Sequence, residues 1–270
     1  MKTKRASAAA VFLGAYLCGL AGHAVPVRIW LAAGLYNQPG FSGDTTANRD
    51  GTGGFWCGNL NGQFGVVRVS TITGNTIWSH LPTSGYCMGV GIASNGDILA
   101  AGGDAAAGAN TWRVARLNVV TGAEIWHRFL PGLYDRDWQT HYRAAIKSDA
   151  SGNVFAGFSS PTGAAVITKY DPNGNLLLQR TLPDPNGRGY FFQDMDVDPM
   201  TGQVYAVAAV RSGSSAGDGP SNSHSLFMLD NNLNVLATRI NNWETVYCCR
   251  FEGVTVSTQG WVMLGGQFGT

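Results

Sequence analysis

Val166-Ile167-Thr168-Lys169-Tyr170-Asp171-Pro172-Asn173-Gly174-Asn175-Leu176-Leu177-Leu178 is an alternating, β-branched run, a turn of Asp, Pro, Asn and Gly, and a second apolar run. That is the signature of a β-hairpin. Three more hairpins of the same kind stand along the chain. Val66-Val67-Arg68-Val69 leads through Thr73-Gly74 to Ile77-Trp78, and Arg113-Val114-Ala115-Arg116-Leu117 leads through Thr121-Gly122 to Ile125-Trp126. Leu226-Phe227-Met228-Leu229 leads through Asp230-Asn231-Asn232 to Val235-Leu236. Between the hairpins lies a second unit, a turn glycine followed by an apolar strand that ends in small residues. It occurs as Asn95-Gly96-Asp97-Ile98-Leu99-Ala100-Ala101-Gly102, Ser151-Gly152-Asn153-Val154-Phe155-Ala156-Gly157, Thr201-Gly202-Gln203-Val204-Tyr205-Ala206-Val207 and Gln259-Gly260-Trp261-Val262-Met263-Leu264-Gly265. Its glycines, at 96, 152, 202 and 260, recur 56, 50 and 58 residues apart. A shorter echo is Arg28-Ile29-Trp30-Leu31-Ala32-Ala33-Gly34.

Alternation of the two units makes a repeat of about 50 residues with four strands, here termed a to d. No heptads or long amphipathic helices interrupt it, and no room remains for the helical crossovers of a parallel fold. The expected fold is an all-β propeller of four-stranded blades, about four to five in this chain, closed on itself or part of a larger array. Closure by its own ends would pair the terminal a and b strands, near 252 and 261, with the c and d strands near 66 and 75. Gly266-Gln267-Phe268-Gly269 repeats Gly62-Gln63-Phe64-Gly65, so another hairpin is expected where the chain stops.

The Thr-Gly-x-x-x-Trp elements at Thr73–Trp78 and Thr121–Trp126 resemble the docking motif of pyrroloquinoline-quinone-type propeller repeats. The stretch from Ser148 to Leu182 is similar to the bacterial "seven-bladed beta-propeller" repeat family. The likeness, to propeller repeats of bacterial and phage proteins, covers most of residues 65–266. It implies architecture, with Trp78 and Trp126 packing from outer strands across to the next blade; Leu178 and Leu236 replace them in the third and fourth units. It implies little about activity, because such folds host many functions.

Of the 270 residues, 13% are charged and 37 are glycine, and the formal charge is +1. A near-neutral surface gives no electrostatic footprint for nucleic acid. The first 24 residues read as a secretory leader: Lys2, Lys4 and Arg5, an apolar run from Ala6 to Leu20, then Gly22-His23-Ala24 before Val25. Residues 25–270 are then the propeller, with 36–64 as a long loop insertion. The expected location is extracytoplasmic, with a virion as the alternative. No second stretch is apolar and long enough to cross a bilayer.

Propeller topology puts the d-to-a and b-to-c connections on one face and the a-to-b and c-to-d turns on the other. The first set reads as long and irregular, the second as short and stereotyped, and binding favours variable loops on a rigid scaffold. The four cysteines beyond the leader map to the loop-rich face. Cys57 falls in the 36–64 loop, and Cys87 and the vicinal pair Cys248-Cys249 fall in matching d-to-a positions. In an exported chain they read first as disulfides, and three connectivities are open.

Aromatics beside Arg and carboxylates crowd the same face, as glycan or peptide recognition requires. One group is Asp135, Arg136, Asp137, Trp138, His141 and Tyr142; a second holds Arg188 and Tyr190; a third holds Trp243, Glu244, Tyr247 and Arg250. Asp194, Asp196 and Asp198 alternate along an a strand and could line a channel, although Asp198-Pro199-Met200-Thr201-Gly202 reads as a turn. There is no nucleophile elbow, P-loop or dinucleotide fingerprint, and no Cys-x-x-Cys for zinc, so neither cofactor nor metal is expected. The leading expectation is a non-enzymatic binder of protein or glycan. The alternatives are a structural virion component that self-assembles and a propeller enzyme, an oxidoreductase fragment or a glycosidase or lyase. For the last, Asp137, Asp194 and Glu252 are the carboxylates to pair.

Overall fold

The computed structural model describes residues 44–47, 53–107, 111–130, 143–160, 163–184, 187, 189–211, 220–241, 249–257 and 259–268. The described residues form antiparallel sheets whose strands follow chain order. Blade one is β1 (Thr45–Ala47), β2 (Gly53–Leu60), β3 (Gln63–Ser70) and β4 (Thr76–His80). Blade two is β5 (Gly85–Ile92), β6 (Ile98–Asp104), β7 (Trp112–Leu117) and β8 (Glu124–Leu130). Blade three is β9 (Ala145–Ser148), β10 (Val154–Ser159), β11 (Ala165–Tyr170) and β12 (Leu176–Thr181). Blade four is β13 (Tyr190–Val197), β14 (Val204–Arg211), β15 (Pro220–Leu229) and β16 (Val235–Asn241). Two strands, β17 (Cys249–Val256) and β18 (Val262–Phe268), make a fifth, partial blade that packs on β13, β14 and β15.

The period of two explains how a blade is buried on both faces. Successive side chains of a strand point opposite ways, so each middle strand feeds two cores. Ile98 and Ala100 of β6 join Phe55, Phe64 and Val66 of blade one, whereas Leu99 and Ala101 join Val154, Ala156 and Phe158 of blade three. Phe155 of β10 turns the other way, into the core shared with Val204, Ala206 and Phe227 of blade four. The middle strands β10 and β11 are therefore buried throughout, while β12 lies exposed at the outer rim along its whole length. The first strands meet backbone to backbone. A Cβ at Gly89 would stand 2.4 Å from the Ala144 carbonyl oxygen, and one at Gly91 2.3 Å from that of Ile146, so β5 approaches β9 only through glycine.

The turns close themselves. In Asp171–Asn175 the Asp171 carboxylate accepts the N–H groups of Asn173 and Asn175 and the Asn175 amide, and Asp230–Asn234 repeats the pattern. Asp149 and Asn153 do the same in the a-to-b turn of blade three.

Blades dock through an indole, a cation and the next blade's c-to-d turn. The Trp78 Nε1–H donates to the Val119 carbonyl at 3.0 Å, and Arg68, opposite Trp78 on β3, donates to the same oxygen at 2.8 Å. One blade on, Trp126 and Arg116 both donate to the Pro172 carbonyl, at 3.0 and 2.9 Å. Each indole lies against the turn glycine, Gly122 or Gly174. In blade three Lys169 reaches the Asn231 carbonyl opposite Leu178, and Leu233 takes the place of the glycine, at φ +59°. The docking role expected for Trp78 and Trp126 is thus present in the geometry. In the fourth unit register assigns the docking position to Ala237, opposite Met228, and Leu236 sits one residue off it.

Three expectations are corrected. Residues 53–60 and 63–64, assigned to a loop insertion, are β2 and the start of β3, joined by a tight turn at Asn61-Gly62 with both φ values positive. The glycines and asparagine that spoil the alternation in Gly53-Gly54-Phe55-Trp56-Cys57-Gly58-Asn59-Leu60 hide this strand. Cys57 accordingly lies in mid-strand rather than in a loop, and Cys87 lies within β5. Finally, β3 and β4 complete blade one with β1 and β2, so they do not complete the sheet of β17 and β18.

Candidate functional site

The innermost strands carry acids and a lysine in place of part of their apolar pattern. Asp44, just before β1, accepts the Val90 N–H of β5 at 3.2 Å and the Thr45 N–H at 2.8 Å. Asp194 of β13 accepts the Val254 N–H of β17 at 2.9 Å. Asp196 accepts the Val256 N–H at 2.8 Å and the Thr255 hydroxyl at 3.0 Å. A carboxylate on one inner strand therefore holds the backbone of the next, at the first and last blade steps. Lys147 of β9 stands 4.0 Å from Asp196.

Burial pushes the Asp194 carboxyl up to about 6, against the Val254 N–H and the Lys147 charge, and the charge of Asp44 adds to the rise. Burial likewise raises Asp44, opposed by its two N–H partners, Lys147 and Arg143. The inner strands thus bring together a carboxyl held above the usual carboxylate range, a second carboxylate and the Lys147 side chain. Such an arrangement suits polar-ligand binding as well as strand attachment.

A second polar group lies between blades one and two. Arg113 is 3% exposed and donates to the Asp104 carboxylate at 3.0 Å and to Glu124, its guanidinium 5.6 Å from the ring centre of Phe64 and 5.5 Å from that of Phe129. Thr83 and the N–H groups of Ala106 and Ala107 complete the partners of Asp104. Burial alone would raise Asp104, but these bonds hold it below the usual carboxylate range. Glu124 also binds His127 and approaches His80 at 3.4 Å; burial opposes its ionisation, yet His127 and Arg113 hold its carboxyl low. Burial lowers His80. This network missed detection in the sequence because Arg113 and Glu124 sit at ordinary polar positions of a hairpin.

Of the residues proposed for ligand contact, Asp135, Arg136, Asp137, Trp138, His141, Tyr142, Arg188, Trp243, Glu244 and Tyr247 lie outside the described residues, as do Cys248 and the leader-like 1–24. Arg250 and Cys249 are placed by their backbone in β17. Tyr190 is corrected: it is 1% exposed at the start of β13, its hydroxyl 3.2 Å from that of Ser225 and its ring edge-on to Phe227. It is a core residue, because the strand begins earlier than its Gly-rich approach suggests. Asp198 forms a turn, binding the Met200 N–H and the Thr201 hydroxyl. Asp44 and Lys147 were not singled out in the sequence; only packing of the inner strands brings them to Asp194.

Cys57 and Cys87 are buried free thiols within one apolar cluster, where burial first and then the neighbouring Cys87 push the Cys57 thiol up. The Cys87 thiol also lies 3.6 Å from the Gly89 carbonyl and 3.7 Å from that of Ala101. Among the described residues no group of three or more His, Cys, Asp or Glu is placed to hold a metal ion.

No protein-family model and no curated protein matches the chain. Solved structures do. Hydrazine synthase of Kuenenia stuttgartiensis is 14% identical with a TM-score of 0.60, over 86% of this chain and 57% of that one. The Dos1 propeller is 11% identical with a TM-score of 0.55, over 83% and 53%. The Cps50 (Swd1) β-propeller domain of Myceliophteria thermophila is 12% identical with a TM-score of 0.54, over 85% and 63%. The chain spans a little over half the length of these structures. At such identities the likeness speaks for the fold alone, and with the radial sheets and their docking it establishes that this chain is a β-propeller.

Proposed function

We propose that the chain is a non-enzymatic, extracytoplasmic propeller that binds protein or glycan through the face carrying its long connections. The observation that carries the reading is the contrast between the two faces. On one, the described a-to-b and c-to-d turns are short and internally hydrogen-bonded, as at 93–97, 149–153, 171–175 and 230–234, and leave little to vary. The d-to-a connections expected to form the other face, 131–142 and 242–248, carry in their sequence the aromatics, arginine and acids suited to stacking and bidentate bonding. The docked blades beneath them are a rigid base. The leader-like first 24 residues support export.

The test is a glycan array and an affinity capture with the intact protein, repeated with Trp138→Ala and Trp243→Ala. Binding that weakens in either variant supports the reading. Binding unchanged in both, or turnover of a captured glycan, overturns it.

A second reading, a structural virion component, is favoured by β18. Among the described residues this strand pairs with β17 alone; Met263 on it is 54% exposed and Trp261, just before it, 69%. An unpaired, partly apolar edge is a template for assembly. N-terminal sequencing of the native protein separates the two: a start at Val25 supports export, and a start at Met1 supports unprocessed assembly.

A further inference from the structure

Cys57 belongs to the second strand of blade one and Cys87 to the innermost strand of blade two, yet those two strands pack together across the blade interface. They are 0% and 2% exposed and share one apolar cluster with Phe55, Phe64, Val66 and Val90. Thirty positions of chain separate them, so the contact is made by the packing of two blades and not by a local turn. The surroundings steady both sulfurs. The Cys57 N–H donates to the Asp44 carbonyl at 3.1 Å, and the carboxylate of the same Asp44 holds Val90, three residues beyond Cys87.

We propose that Cys57 and Cys87 are a modification site, an oxidisable pair that becomes a disulfide bond joining blade one to blade two. The bond resolves the open connectivity in favour of this pair; Cys249, at the start of β17, belongs to the partial blade packed on blade four. The oxidant is a disulfide of the exchange class, such as oxidised glutathione. One cysteine thiolate attacks it, forms a mixed disulfide and expels one oxidant thiol. The second cysteine thiolate attacks the protein sulfur of that mixed disulfide, forms the Cys57–Cys87 bond and expels the other oxidant thiol. Two electrons pass from the cysteines to the oxidant, and the two cysteine protons end on its thiols.

Burial dictates when this happens. In the folded protein both sulfurs are out of reach of solvent, and burial together with neighbouring Cys87 and Asp44 keeps Cys57 protonated, the unreactive form. The exchange therefore belongs to folding, as the two blades come together. Once made, the bond is as shielded from reductants as the thiols are from oxidants. It crosses the interface that Trp78, Arg68 and Arg113 already occupy. The inference stands on this contact and not on the identity of any ligand, so failure of the binding reading leaves it intact.

The experiment is a refolding of the full chain in a glutathione redox buffer, followed by denaturation, alkylation of free thiols and peptide mapping. The expected map shows the Cys57 and Cys87 peptides linked, two hydrogens lighter than the separate thiols, in a bond that a mild reductant breaks only after unfolding. Oxidised protein should melt roughly 5–10 °C above protein refolded under reduction, a difference absent from Cys57→Ala/Cys87→Ala. Alkylation of both residues, or linkage of either one to Cys248 or Cys249, overturns the proposal. The map is read on the unsubstituted chain, so a variant that fails to fold does not blunt it.

Discussion

Gly174→Ala tests the blade-docking account most directly. Gly174 has φ +80°, and a Cβ there would stand 2.6 Å from Cδ2 of Trp126, whose indole lies over it while Nε1 donates to the neighbouring Pro172 carbonyl. The left-handed conformation costs an alanine about 1–2 kcal/mol. Forcing a methyl against a buried ring costs about 1–3 kcal/mol more, for a total of about 2–5 kcal/mol. Trp126→Leu loses the indole's packing and its bond, about 2–4 kcal/mol. In the double variant the ring is gone and only the conformational strain remains from the alanine. The two losses should then fall short of additivity by about 1–3 kcal/mol. The chain contains its own precedent, since in blade three the indole position is held by Leu178 and the glycine of the next turn is replaced by Leu233 at φ +59°. Urea unfolding followed by far-ultraviolet circular dichroism measures the cycle without relying on tryptophan emission. Gly152→Ala is the control: its φ is +81°, but the nearest atom to a Cβ is Pro172 Cγ at 3.4 Å, so it should cost only the strain and show no coupling to Trp126. Additivity of Gly174→Ala and Trp126→Leu within about 0.5 kcal/mol would refute the docking account.

Arg113→Met leaves Asp104 buried without its cation and should cost about 3–5 kcal/mol by urea titration; adding Asp104→Asn should recover part of it. The two low carboxyls of that network, Asp104 and Glu124, contribute stability above the unfolded carboxylate pKa and lose it as pH falls through their folded values. Asp194 acts with the opposite sign. Raised to about 6, it binds its proton more tightly folded than unfolded, so ionising it should lower stability by about 3 kcal/mol as pH rises from about 4 through about 6. Asp194→Asn keeps an acceptor for the Val254 N–H and should flatten that part of the profile; a slope unchanged in the variant would show that another group titrates. Tyr190→Phe removes one buried bond to Ser225 and should cost about 1 kcal/mol while leaving ligand binding untouched.

Hairpins were legible because their information is local. Asp171 to Asn175 carries its own turn: an Asp that caps two N–H groups, an Asn beside it and a glycine at positive φ, all within five residues. The repeat of such turns, with apolar strands between them, determines sheets of consecutive strands, and the spacing of Trp78 and Trp126 from their turn glycines marks the docking strand. In Gly53–Leu60 the glycines and an asparagine leave no clean alternation, and the strand appears only when its partners on β1 and β3 are in place. Tyr190 looked like a loop aromatic because nothing in its neighbours announces that β14 and β15 cover it.

The all-β repeat, the four-stranded unit and the positions of the docking tryptophans are written in local residues. What meets across blades emerges on packing: Asp44 with Val90, Arg113 with Phe64, Cys57 and Cys87 in one cluster, Asp194 with Val254. The two differ in range. A turn is selected by hydrogen bonds within a few residues, whereas a partner in the next blade is selected by how two sheets twist and pack. That choice is spread over every side chain between them.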